Sequence, residues 1–180
     1  SAHEVYATTD TVDDAISQMH RMPEPWILYV AFNAPHTPLH VPPADLHGYD
    51  DLTPASSDHD MYQAMVEALD TEIGRLLDNI PAEAVDDTHV IFMGDNGTPK
   101  HAITEPFDPS KGKGSVWEGG IRSPFIIRGP GIPENSWSHE RVVGYDLFPT
   151  YCEWAGIASS NLPRDIEGGS IVNLLDDGKG

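Results

Sequence analysis

Positive charge and cysteine are what this 180-residue sequence has least of. Ten Lys and Arg stand against 29 Asp and Glu, a formal net charge of −19. Such a surface argues against nucleic acid or anionic membrane as a partner, because both are held by basic groups. It also repels a small anion at long range, so any anion site has to be a local positive pocket in a negative surround. A salty habitat is a second source of the same acidity, and composition does not separate the two. The single Cys152 excludes an internal disulfide and leaves the redox compartment open. No apolar run approaches the roughly 20 residues that span a bilayer. The first residues, SAHEVYATTD, show neither the basic start nor the apolar stretch of a signal peptide. Ser1 reads as an internal starting point rather than a natural N-terminus. Repeats and low-complexity tracts are also missing.

What is present suits a globular domain with a core: 39% apolar residues and four Trp. Residues 10–21 (DTVDDAISQMHR) open on Asp10 as a cap and carry Val12, Ile16 and Met19 at helical spacing. Pro23 and Pro25 stop that helix. WILYVAF (26–32) is a continuous apolar run, the pattern of a strand buried on both faces. A Pro-rich loop follows to about Pro54. The clearest helix spans 61–80, with Tyr62, Met65, Val66, Leu69, Ile73, Leu76, Leu77 and Ile80 forming one stripe. THVIFM (88–93) and SPFIIRG (123–129) read as further strands, and ERVVGY (140–145) as a candidate fourth. DLFPTYCEWAG (146–156) reads as a short helix capped by Asp146, with Pro149 in its first turn and Gly156 ending it. Helices alternating with apolar strands predict an α/β fold, a mostly parallel central sheet flanked by helices on both faces.

Ligands of such sheets gather at the carboxyl ends of strands. One such end is NAPHTPLH (33–40), after WILYVAF, and the other is GDNG (94–97), after THVIFM. Asp95 and Asn96 offer a carboxylate and an amide oxygen side by side. These hard donors suit calcium or magnesium, but two are fewer than the six to eight oxygens calcium takes. An ordinary Asp-Asn-Gly turn is the plainer reading of that segment alone. His36 lies between Pro35 and Pro38, fixed where it can bind an anion, protonate a leaving group or simply bond to backbone. His36 and His40 have the spacing of a helical zinc pair, yet Pro38 between them disfavours the helix. Lys111 and Lys113 lie in SKGKGSVWEGG, and the glycines beside Lys113 let the backbone approach an oxyanion. An exposed flexible lysine is the plain alternative. Glu118 and Arg122, four apart, are spaced to pair with each other.

Taken together and in order, WILYVAFNAPHTPLHVP, YQAMVEALDTEIGRLLD, VIFMGDNG, GKGSVWEGGIRSPFIIRGPGI and DLFPTYCEWAGI resemble the sulfatase family of the alkaline phosphatase superfamily. The resemblance runs from about His3 to Leu175. APHTPL, GDNG and GKGxxxEGG are its specific part. It implies that residues 1–180 are the second half of a sulfatase catalytic domain, in a parent that hydrolyses sulfate esters. Asp95 and Asn96 then match ligands of a divalent cation, usually calcium. His36 matches the histidine that contacts sulfate and protonates the departing alcohol, and Lys113 the lysine that binds sulfate oxygen. Glu118, Gly119, Gly120 and Arg122 match the segment shaping the loop after that lysine, and Asp146 starts a helix behind the site. Lys100, His101 and Glu105 fall in the stretch where family members vary. They face either the organic part of the substrate or, on the plainer reading, solvent.

The family nucleophile is a formylglycine made within a Cys/Ser-x-Pro-x-Arg motif, and no such motif occurs here: Cys152 is followed by Glu-Trp-Ala. The early aspartate pair of the metal site is not identifiable either, since Asp13 and Asp14 lie in a predicted helix. A lysine and a histidine that the family places between nucleophile and metal turn are also absent, and the small C-terminal domain is not reached. This chain alone is therefore expected to be inactive or nearly so. Hydrolysis of phosphate or phosphonate esters is the alternative within the superfamily, and a non-catalytic anion-binding domain the alternative outside catalysis. Expected partners are a sulfate ester, including sulfated carbohydrate, with no nucleic acid and no membrane span. The resemblance points to a periplasmic or secreted location.

Overall fold

In the computed structural model the described residues are 5–176, so His3, where the family resemblance begins, lies outside them. The chain divides into two compact units. The first comprises the N-terminal residues to Val85 together with Phe92–Phe125, and the second comprises Asp86–Ile91 and the residues from Ile126 onward.

Two helices make the core of the first unit. α1 spans Ala7–Met19 and α2 spans Asp58–Asp78. Asp10 falls in the first turn of α1 and does not cap it; Tyr6 holds the cap position without a side-chain bond. Ser57 caps α2, its Oγ accepting the Asp60 N–H at 3.1 Å and donating to the Asp60 carboxylate at 2.7 Å, which satisfies one of the free donors of the first turn. The helices bury Val12, Ala15 and Met19 on one side and Met61, Ala64, Met65, Ala68 and Leu69 on the other. This stripe is rotated from the one the apolar spacing predicts: Val66 is exposed, and Ala64 and Ala68 take the seam. Side-chain size explains the shift, because a facing helix can approach small residues closely while larger apolar ones remain at its rim.

The seam continues into polar residues. Glu72 is buried at 2% exposure on the α2 stripe. Thr9 Oγ1 donates to it at 2.8 Å, and Arg75 donates through Nε at 2.8 Å. Arg75 also reaches Asp13 at 2.7 Å and the Thr9 carbonyl at 3.2 Å. A buried carboxylate is tolerable only when paired and hydrogen-bonded, and Glu72 is both. The Pro-rich loop then runs along α2, tied by Gly48 N–H to Glu67 at 2.8 Å, Thr71 Oγ1 to the Leu46 carbonyl at 3.0 Å and Tyr49 OH to Gln63 at 2.9 Å.

The sheet is smaller than predicted. Among the described residues it has two strands, β1 (Val90–Met93) and β2 (Phe125–Arg128), paired with each other. Their pairing extends through Gly94 N–H to Pro124 O at 3.0 Å and Thr98 N–H to Gly119 O at 3.2 Å, residue numbers falling on one side as they rise on the other. That extension is antiparallel, so the mostly parallel central sheet is not found in these residues. Residues 26–32 form neither helix nor strand. Trp26, Leu28, Val30 and Phe32 are half-buried while Ile27, Tyr29 and Ala31 are exposed. The alternation is that of a strand, but no described segment forms a ladder with it, and a strand exists only by pairing. Residues 140–145 likewise form no strand. A one-turn helix, α3 (Glu118–Ile121), precedes β2.

In the second unit α4 spans Leu147–Trp154 and α5 Val172–Asp176. Gly156 ends α4 as its position predicts. At φ 72° it sends its N–H to Glu153 O at 2.9 Å, while Ile157 N–H reaches Cys152 O at 2.8 Å, the two bonds of a Schellman motif. Asp146 does not cap α4 with its side chain. Its carboxylate takes the N–H groups of Val143 at 2.8 Å and Gly169 at 3.0 Å instead. The buried Thr150 accepts Ile171 N–H at 3.1 Å, fixing the C-terminal segment to the helix.

Candidate functional site

The GDNG turn leaves β1 directly. Asp95 is exposed and Asn96 half-buried. The amide nitrogen of Asn96 lies 2.5 Å from Asp95 Oδ1 and donates to it, which leaves the amide oxygen as an acceptor. Oxygen donors of this kind fit a hard cation in type. They do not fit in number: no group of three or more His, Cys, Asp or Glu able to hold a metal exists among the described residues.

Lys113 is brought to this turn by backbone. Its N–H donates to Thr98 O at 2.8 Å, immediately after GDNG. Thr98 N–H and Gly97 N–H in turn bond Gly119 O at 3.2 Å and Gly120 O at 3.1 Å. The GDNG turn and the GKG loop are therefore one hydrogen-bonded assembly. The two lysines of that loop differ. Lys111 sets its ammonium over the Trp117 ring, 4.8 Å from the centroid, a cation–π contact. Lys113 is half-buried and forms no ion pair among the described residues, which leaves its charge for an anion. Glu118 and Arg122 pair at 3.4 Å, both exposed, as their spacing predicts.

His36 lies in the loop after residues 26–32, exposed, with its N–H closing a turn onto Asn33 O at 2.9 Å. Its Nδ1 faces Thr37 O at 2.8 Å. A carbonyl only accepts, so Nδ1 carries a proton and Nε2 is the nitrogen left to meet a ligand. In this tautomer the ring donates from Nε2 only when doubly protonated. His40 makes the same kind of bond, Nδ1 to Pro38 O at 2.9 Å, and packs edge-on against Tyr6 with centroids 5.6 Å apart. Residues 33–40 contain no helix, so the zinc-pair geometry is not formed. The structure thus ties the Lys113 backbone to Thr98, two residues after Asn96, while the side-chain bonds of His36 stay within its own loop.

Of the three variable-stretch residues, His101 is engaged: its ring packs edge-on on Tyr62 of α2 at 5.9 Å. Burial holds the Tyr62 phenol above its ordinary pKa. Asp108, capping the 310 turn that leads into the lysine loop, is held below the usual carboxylate range by hydrogen bonds from the Ser110 hydroxyl and N–H. A shallow cleft of about 350 Å³ between the Pro-rich loop and α2 is lined by Asp45, His47, Glu67 and Asp70. Its acidic wall is the wrong sign for an anion.

Glycines that the sequence marks for backbone freedom prove to be needed for space. A Cβ on Gly97 would collide with Gly119 O and come within 2.6 Å of Gly120 Cα, and one on Gly120 would lie 2.7 Å from Gly112 O. The density of glycine in GDNG, GKG and EGG was the available signal.

Similarity to known proteins identifies the family. A family model described as Sulfatase matches residues 4–157, most of the chain. The chain belongs to the sulfatase family. A sulfatase of Formosa agariphila is 31% identical over 93% of this chain and 33% of its own length. The uncharacterized sulfatase YdeN of Escherichia coli is 27% identical over 97% of this chain and 32% of its own length. A solved putative sulfatase of Bacteroides thetaiotaomicron superposes with a TM-score of 0.66 at 21% identity, covering 96% of this chain and 47% of its own. A solved 2-O GAG sulfatase gives 0.62, with the same identity and coverage. The chain thus shares the fold of solved sulfatases over about half the length of those chains and spans a third of the curated relatives it matches. Among its described residues no helix is long and apolar enough to cross a membrane.

Proposed function

We propose that the protein containing this sulfatase-family chain hydrolyses sulfate esters, and that the chain supplies sulfate-binding and leaving-group residues to its active site. The observation that carries this reading is the bond between Thr98 O and Lys113 N–H, which puts an uncommitted lysine on the same assembly as the Asp95–Asn96 turn. Lys113 neutralises a sulfuryl oxygen and the charge that grows on the bridging oxygen as the S–O bond breaks. His36, protonated at Nε2, gives that proton to the departing alcohol. Asp95 and Asn96 would be two ligands of a calcium ion whose coordination needs further oxygens. Bound there, calcium would supply charge neutralisation at the sulfuryl oxygens. The nucleophile is a formylglycine from a Cys/Ser-x-Pro-x-Arg segment, which residues 1–180 do not contain.

The proposed substrate class is sulfated carbohydrate. Support comes from the names of similar proteins, a 2-O GAG sulfatase among solved structures and an N-acetylgalactosamine-6-sulfatase of Sus scrofa, 29% identical over 92% of this chain. A secreted or periplasmic location is proposed with it, supported by similarity of half the chain to an extracellular sulfatase homolog of Drosophila melanogaster.

The test is turnover of 4-nitrophenyl sulfate and of a sulfated disaccharide by the full-length parent and its variants. Lys113→Ala and His36→Ala each lower kcat/KM by about 100-fold or more. Unchanged turnover in both variants refutes the assignments. Hydrolysis of 4-nitrophenyl phosphate in preference to the sulfate would move the protein to the phosphatase reading.

A further inference from the structure

The glycines between Gly97 and Gly120 are needed for space, and that need couples two parts of the site. Gly114 has a left-handed φ of 85° with open space around it, the ordinary reason for a loop glycine. Gly97, Gly112 and Gly120 have no such φ and no such room. A Cβ on Gly112 would strike Ile103 Cδ1 and sit 2.6 Å from Thr98 O. One on Gly120 would strike Ser115 O, and one on Gly97 would strike Gly119 O. Most of these obstacles are backbone atoms, which cannot swing aside as a side-chain tip can. Two loops therefore cross with their main chains in contact, and only hydrogen fits at the crossing.

Thr98 stands at the centre of this crossing. Its N–H goes to Gly119 O, on the limb after the lysine, and its carbonyl takes the N–H of Lys113. Asn96 is two residues away along the chain. We propose that Gly97, Gly112 and Gly120 are positioning residues that lock the Asp95–Asn96 turn and Lys113 into one unit, so that cation ligands and sulfate lysine keep a fixed register. This rests on the sulfate-binding reading of Lys113 only for its consequence in binding. A single added methyl at the crossing separates the limbs, and Lys113 loses the bond that sets its backbone.

Amide hydrogen exchange resolved by NMR on the 180-residue chain tests the lock, with inorganic sulfate as the probe of Lys113. In the unmodified chain Gly97, Thr98 and Lys113 open together, with equal exchange and equal urea dependence. Gly120→Ala speeds all three by tenfold or more while amides around Met65 in α2 keep their rates. It also abolishes the response of the Lys113 Cε resonance to sulfate, whereas Gly169→Ala, at a site with open space around it, preserves that response. Independent opening of the three amides in the unmodified chain overturns the proposal, as does a Gly120→Ala chain in which Lys113 stays protected. Should Gly120→Ala unfold α2 as well, common opening in the unmodified chain supports the lock and independent opening refutes it. A lysine silent to sulfate in the unmodified chain counts against the sulfate reading and leaves the exchange criterion intact.

Discussion

The helical layer and the site loops of the first unit are stabilised in different ways. α1 and α2 are sealed against each other by side chains: Met65 is 1% exposed, Val12 and Ala64 fully buried, and the polar end of the seam is closed by Glu72 and its partners. The loops carrying Asp95 and Lys113 are held by backbone bonds and glycine contacts and that of His36 by turn bonds, with Asp95 and His36 exposed and Lys113 half-buried. Close by in sequence, Ile27 and Tyr29 are 66% and 84% exposed. Packing gives the first region its stability and leaves it chemically inert. The second region has chemically useful groups because they are not consumed by packing.

The sharpest way to test this contrast is to cut into the helical seam. Met65→Ala removes a fully buried side chain that neighbours cannot easily replace, and urea unfolding should show a loss of about 3 kcal/mol. A loss below about 1 kcal/mol would mean that the seam is loosely packed and the contrast false. Glu72→Ala is expected to cost somewhat less, about 2 kcal/mol, because it strands Thr9 Oγ1 and one side of Arg75 while Arg75 keeps Asp13. A double-mutant cycle with Thr9→Val should show coupling between the two positions. Smallest is Tyr29→Ser, expected within about 0.5 kcal/mol of the unmodified chain because the ring contributes little buried area. A larger effect, rising with protein concentration, would show that copies of the chain cover this surface in solution.

Much of the molecule was legible before its structure. Met65 and Leu69 belonged to a stripe that pattern alone identified, and Gly156 was placed as a helix terminator for the reason that operates, a positive φ with free carbonyls to satisfy. The Glu118–Arg122 pair followed from a four-residue spacing. Misreadings came where a residue's partner is far along the chain. Asp146 looked like a cap for the helix it precedes, yet Gly169, 23 residues on, takes half of its carboxylate. WILYVAF read as a buried strand, which requires neighbours that the described residues do not provide.

Sequence by itself determined the family, the three longest helices and the types of group available for chemistry. Periodicity, capping residues and motif order are local properties, and local properties are written along the chain. Tertiary structure decided which of those groups are free to act. Lys111 and Lys113 are two residues apart in one loop, and the glycines and motif that single out Lys113 do not say what either side chain touches. One sets its ammonium over Trp117 and the other is tied by its backbone to Thr98 after the GDNG turn, because tertiary contacts occupy some side chains and leave others unspent.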